Sequence, residues 1–83
     1  MGKYLRYDIE AHVNTEGTRI IKYYVQRVVV PKAKLPEPYM YRDRFYCFIR
    51  VREYAALNFN ISEYVDNEFE KYRRQRDENV SKV

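Results

Sequence analysis

The stretch Arg44-Phe45-Tyr46-Cys47-Phe48-Ile49-Arg50-Val51-Arg52 decides the fold, because it satisfies two periods at once. Phe45, Cys47, Ile49 and Val51 alternate with Tyr46, Phe48, Arg50 and Arg52, as in a half-buried strand. Phe45, Phe48, Ile49, Arg52, Ala55 and Ala56 also fall at helical spacing. Aromatic and β-branched residues favour a strand as far as Arg52, whereas Glu53-Tyr54-Ala55-Ala56-Leu57 is helix-prone.

Toward the N-terminus, Pro31-Lys32-Ala33-Lys34-Leu35-Pro36-Glu37-Pro38 cannot continue a strand, since its three prolines remove ladder donors and fix φ. It reads as a semi-extended basic connector. Before it, Leu5, Tyr7, Ile9, Ala11 and Val13 alternate strictly with Tyr4, Arg6, Asp8, Glu10 and His12. Asn14-Thr15-Glu16-Gly17-Thr18 supplies turn residues, and Arg19 to Val30 is again β-rich, so the two runs form a long hairpin. A five-residue loop at Asn14 to Thr18 sets Tyr7 opposite Val25, Ile9 opposite Tyr23, Ala11 opposite Ile21 and Glu10 opposite Lys22. The outward face then holds Tyr4, Arg6, Asp8, Glu10 and His12 beside Ile20, Lys22, Tyr24, Gln26 and Val28. That face is too apolar to be purely solvated.

Toward the C-terminus, Asn60-Ile61-Ser62-Glu63 matches a capping box, with Asn60 as N-cap and Ser62 as an alternative. Ile61, Val65, Phe69 and Tyr72 follow as one apolar stripe of an amphipathic helix running to about Asp77, with Glu78 to Val83 a frayed tail. The acids Glu63, Asp66, Glu68 and Glu70 come early and Lys71, Arg73, Arg74 and Arg76 late, as the helix dipole prefers. The expected fold class is α+β: an antiparallel hairpin plus a third strand, packed by a C-terminal amphipathic helix, in one domain of 83 residues. So small a core makes homo-dimerisation or docking on a larger partner a natural source of stability.

Charge is concentrated. From Arg19 to Arg52 there are nine Lys or Arg against Glu37 and Asp43, about +7 in a chain of net charge +4. Aromatic residues interleave with these cations, a mixture suited to phosphate contact and base stacking. Charged residues make up 34% of the chain, Tyr occurs ten times and Gln twice, a bias that resembles proteins of hyperthermophiles and would fit an archaeal chromosomal, plasmid or viral source. One Cys forms no internal disulfide, no apolar run spans a membrane, and the N-terminus lacks a signal core, so a cytoplasmic setting is expected.

Catalysis has little to work with. The only His, His12, has no evident partner, and the only Cys, Cys47, lies in an apolar run where a buried inert thiol is expected. One Cys and one His do not make a structural metal site, and two isolated glycines do not make a phosphate loop, so no cofactor is expected.

The run Ala55-Ala56-Leu57-Asn58-Phe59-Asn60-Ile61-Ser62-Glu63-Tyr64-Val65, with Phe69, Lys71 and Tyr72, resembles the junction between the two helices of ribbon-helix-helix DNA-binding proteins. The resemblance implies a dimer, a strand ribbon in the major groove and a phosphate clamp at Asn60, Ile61 and Ser62. The first helix would then be Arg42 to Leu57, and Lys22, Tyr24 and Gln26 would face base edges.

The expectation is therefore a small non-catalytic nucleic-acid-binding protein, DNA before RNA. Its binding residues would be Lys22, Tyr24, Gln26, Arg27, Lys32, Lys34, Arg42, Arg44, Arg50, Arg52, Asn60 and Ser62. The alternative is a protein-interaction module, such as a viral or plasmid accessory inhibitor, or a minor ribonucleoprotein component.

Overall fold

Strand alternation sends the apolar residues to one side of an antiparallel sheet. The computed structural model describes residues 4–29 and 34–81. Its elements are β1 (Tyr4–Val13), β2 (Ile20–Val29), β3 (Tyr39–Tyr41), β4 (Arg44–Arg52), a 3₁₀ helix (Glu53–Asn58) and α1 (Ile61–Ser81). The sheet has the order β2-β1-β4-β3, with every neighbouring pair antiparallel. The class is α+β, and residues 44–52 are a strand.

A helix over Arg42 to Leu57, which the ribbon-helix-helix resemblance requires, is not formed. Pairing of β4 with the apolar face of β1 outweighs the helix-prone stretch, which is left one short 3₁₀ helix. At the helix start, Asn60 Oδ1 accepts the Glu63 backbone N–H at 3.0 Å. That bond makes Asn60 the N-cap, as the capping-box reading expects.

The hairpin register differs from expectation by two residues. Asn14 N–H donates to the Arg19 carbonyl at 3.0 Å, so the loop closes one residue later than a pairing of Val13 with Arg19 would require. The Asn14 side chain stabilises this loop by accepting from the Thr18 and Arg19 backbone N–H groups at 2.8 and 3.1 Å. Gly17, at φ 72°, supplies the left-handed position. A bulge between His12 and Val13 adds the second residue of shift. Ile9 therefore faces Val25, Ala11 faces Tyr23, Tyr7 faces Arg27, and Glu10 faces Tyr24 in place of Lys22. Two single shifts restore parity, so Lys22, Tyr24, Gln26 and Val28 keep the expected face. Ile20 does not: it pairs with buried Val13 and packs against the core, and Ile21 is the exposed extra residue.

The core joins Tyr7, Ile9, Ala11, Val13, Phe45 and Cys47 of the sheet to Val65 and Phe69 of α1. The expected stripe is the packing face, with Ile61 and Tyr72 at its borders. Phe45 meets Phe69 and Tyr72 with ring centroids 5.3 and 5.5 Å apart. Replacing Phe69 by Ala would cost about 3–5 kcal/mol, a large share of the roughly 5–15 kcal/mol that holds a domain together. Tyr64 adds a tether, its hydroxyl donating to the Phe48 carbonyl at 2.8 Å. Burial, with Glu68 nearby, raises the pKa of that hydroxyl.

α1 continues to Ser81, past the stop expected near Asp77, since no Gly or Pro interrupts it; Lys82 and Val83 lie outside the described residues. Arg73 donates to the Thr18 carbonyl at 2.9 Å, tying the helix to the β1–β2 loop, and Arg74 pairs with Glu70 at 3.1 Å. Among the described residues, no helix is long and apolar enough to cross a membrane.

Candidate nucleic-acid interface

With α1 on one side, the side chains that alternate with the core form the opposite, open face. Registers order it in rows. Lys22, His12, Arg44 and Tyr41 make one row, and Tyr24, Glu10, Tyr46 and Tyr39 the next. Gln26, Asp8 and Phe48 follow, then Val28, Arg6 and Arg50, and finally Tyr4 and Arg52. Six aromatic rings thus share a surface with five cations and two carboxylates.

Rings occupy the middle. Tyr39 and Tyr46 stack with centroids 4.7 Å apart and planes 19° from parallel, and Phe48 lies 6.4 Å from Tyr39. Tyr24, Tyr39 and Tyr41 are about half exposed, so flat faces and edges are presented to solvent. Cations sit over rings: Arg6 over Phe48 at 5.4 Å, Lys22 over Tyr24 at 5.7 Å, Arg42 over Tyr41 at 5.4 Å and Arg52 over Tyr4 at 4.9 Å.

Both carboxylates have partners. Arg6 binds the two oxygens of Asp8. Glu10 accepts from His12 Nε2 at 3.1 Å and from the Tyr46 hydroxyl at 3.3 Å, with Arg44 Nε 4.0 Å away. The His12 hydrogen bond is the main cause that holds the Glu10 carboxyl below its usual range, against partial desolvation and with help from Tyr46 and Arg44. Desolvation and the Glu10 charge push Tyr46 up. These two carboxylates, Gln26, Tyr24, Tyr39, Tyr46 and Phe48 line a shallow depression of about 380 Å³.

The expected binding residues separate into groups. Lys22, Tyr24, Gln26, Arg44, Arg50 and Arg52 come together on the open face, and Arg42 stands at its rim in the β3–β4 turn. Arg27 pairs with buried Tyr7 and so belongs to the helix side. Lys34 is exposed on the connector, and Lys32 lies outside the described residues. Asn60 and Ser62 start α1, in the layer behind the sheet. Arg44 Nη1 lies 2.7 Å from the exposed Asp43 carboxylate in the β3–β4 turn.

The central rings Tyr39, Tyr46 and Phe48 were not among the expected binding residues, because β3 has little signature. Its two-residue turn is Arg42-Asp43, not a Gly-containing pair, and Arg42 takes φ 58°. Alternation of Tyr39 and Tyr41 with Met40 ahead of that turn was the available signal. Cys47 is fully buried, and desolvation pushes its thiol up to about 12. Among the described residues, no group of three or more His, Cys, Asp or Glu is placed to hold a metal.

No protein-family model, curated protein or solved structure matches this chain.

Proposed function

We propose that the open sheet face binds single-stranded nucleic acid, without catalysis. The observation that carries this reading is the Tyr39, Tyr46 and Phe48 ring cluster set among Arg and Lys side chains on the sheet face opposite α1. Bases stack on such rings, and the surrounding cations meet the backbone. Unpaired strands suit the shape better than a duplex. Four strands spaced about 4.8 Å apart span about 14 Å, wider than a major groove of about 12 Å.

The acids do not oppose this reading, because Arg6 and Arg44 offset them. Lining a depression with aromatic walls, Asp8, Glu10 and Gln26 offer acceptors to an exocyclic amine. Cytosine, adenine and guanine carry one; thymine does not.

Fluorescence anisotropy with labelled single-stranded DNA, single-stranded RNA and duplex DNA tests this directly. Single strands should bind best, with a slope of log affinity against log salt of roughly −2 to −3 for three or four phosphate contacts. Loss of one stacked base in Tyr39→Ala should weaken binding by about 1–3 kcal/mol, roughly five- to 150-fold. Absence of binding at low salt would reject the reading.

A second reading, a protein-binding module, has its own support. Tyr54 and Leu57 of the 3₁₀ helix are 78% and 97% exposed. Leu57→Ser should abolish capture of such a partner and leave nucleic-acid affinity unchanged.

A further inference from the structure

The two edges of the sheet are built differently. β3 is three residues long, preceded by Pro36 and Pro38 and followed by left-handed Arg42. Shortness and flanking prolines blunt an edge against further pairing. β2 is much longer, although Pro31 follows its last residue by two positions. It runs ten residues without Pro, every residue from Ile21 to Arg27 is exposed, and nothing among the described residues pairs with its outer side.

Its side chains are also apolar where a solvated edge would be polar. Tyr23 and Val25 pair with buried Ala11 and Ile9 on the helix side, yet they are 36% and 38% exposed. Ile21, at the bulge, is 55% exposed.

We infer that β2 is the seam of a homodimer, two copies pairing antiparallel about a two-fold axis through Val25 to form one continuous sheet. The regular stretch that follows the bulge runs from Lys22 to Val29, and Val25 is one of its two middle residues. That register sets Tyr24 against Gln26 on the open face and Tyr23 against Arg27 on the helix side. Lys22 meets Val28. Edge cations commonly guard against pairing, but here Lys22 and Arg27 never oppose their own copies, and Arg27 gains a ring to lie on. The two open faces would merge into one surface. The inference does not depend on the nucleic-acid reading, because its test reads the mass of the protein without nucleic acid.

Sedimentation equilibrium of the wild-type chain and of Val25→Lys and Val25→Glu tests it. The wild type should have twice the 10.3 kDa chain mass. Each variant alone should be monomeric, since like charges would meet at the axis, and an equimolar mixture of the two should regain the dimer mass. That rescue excludes a folding defect as the cause. Hydrogen exchange should show β2 amides on the outer edge protected in the wild type and unprotected in Val25→Lys. A monomeric wild type, dimers in the separate variants, or failure of the mixture to restore the dimer would each overturn the inference.

Discussion

Arg6 and Arg50 stand directly opposite each other where β1 meets β4. Like charges so placed repel. Arg6 is drawn aside by the Asp8 carboxylate and the Phe48 ring, whereas Arg50 Nε and Nη2 are shielded from solvent with no hydrogen-bond partner among the described residues. Unpartnered buried donors typically cost about 1–3 kcal/mol. A charge held at that cost in an open sheet face is consistent with a polyanionic ligand.

Arg50→Met should therefore stabilise the free protein while weakening nucleic-acid binding. Each kcal/mol regained should raise Tm by about 4–8 °C in a domain of this size, and losing one cation should flatten the salt slope by up to about 0.7. Calorimetry and anisotropy on the same variant check both. A lower Tm would show that the guanidinium is satisfied.

Arg42 offers a gain without that conflict. Its left-handed backbone costs roughly 1–2 kcal/mol, which glycine avoids at a smaller entropic cost. Subtracting the lost contact with Tyr41, Arg42→Gly should gain about 0.5 kcal/mol, roughly 2–4 °C in Tm. Thermal melts decide it, with Arg42→Lys, which keeps the strain, expected near wild type.

Acid should weaken the fold partly through Glu10. Its carboxyl titrates lower in the folded protein than in the unfolded chain, so its contribution is present at neutral pH and is lost as pH falls through the folded value. Melting of Glu10→Gln between about pH 5 and about pH 3 should show a shallower fall than the wild type. Parallel curves would show that the hydrogen bonds from His12 and Tyr46 add no acid sensitivity.

Thiol reagents should ignore Cys47 in the native protein. With the thiol buried and its pKa pushed up to about 12, thiolate is scarce and access is blocked, so modification should follow the rate of opening. Titration with a chromogenic disulfide, with and without denaturant, measures this. Immediate reaction without denaturant would contradict the packing around Phe45.

Much of this architecture is legible in the sequence because burial imposes a period. Leu5 to Val13 alternates strictly, Ile61 to Tyr72 follows one helical stripe, and Arg44 to Arg52 resolves as a strand because Phe45 and Cys47 face the core. What was not legible depends on single-residue backbone choices. The Asn14 loop and the bulge together move the β2 register by two, and a left-handed Arg42 makes β3 possible; neither leaves a clear mark in composition. Alternation alone puts Arg50 and Arg52 on the open face, but it does not reveal the ring cluster, since Tyr39 meets Tyr46 only once that turn exists.

The middle position of β1 also governs how quickly the protein assembles. Its contacts with β2 close over one short loop, while those with β4 must wait until β2, the connector and β3 have been gathered in. Local pairing is fast and distant pairing slow, so the β1–β2 hairpin should form before the barrier and α1 should dock after it. Asn14→Ala should then mainly slow folding, and Phe69→Ala should mainly speed unfolding. A chevron analysis of the two variants would distinguish this order from one in which β4 and α1 join first.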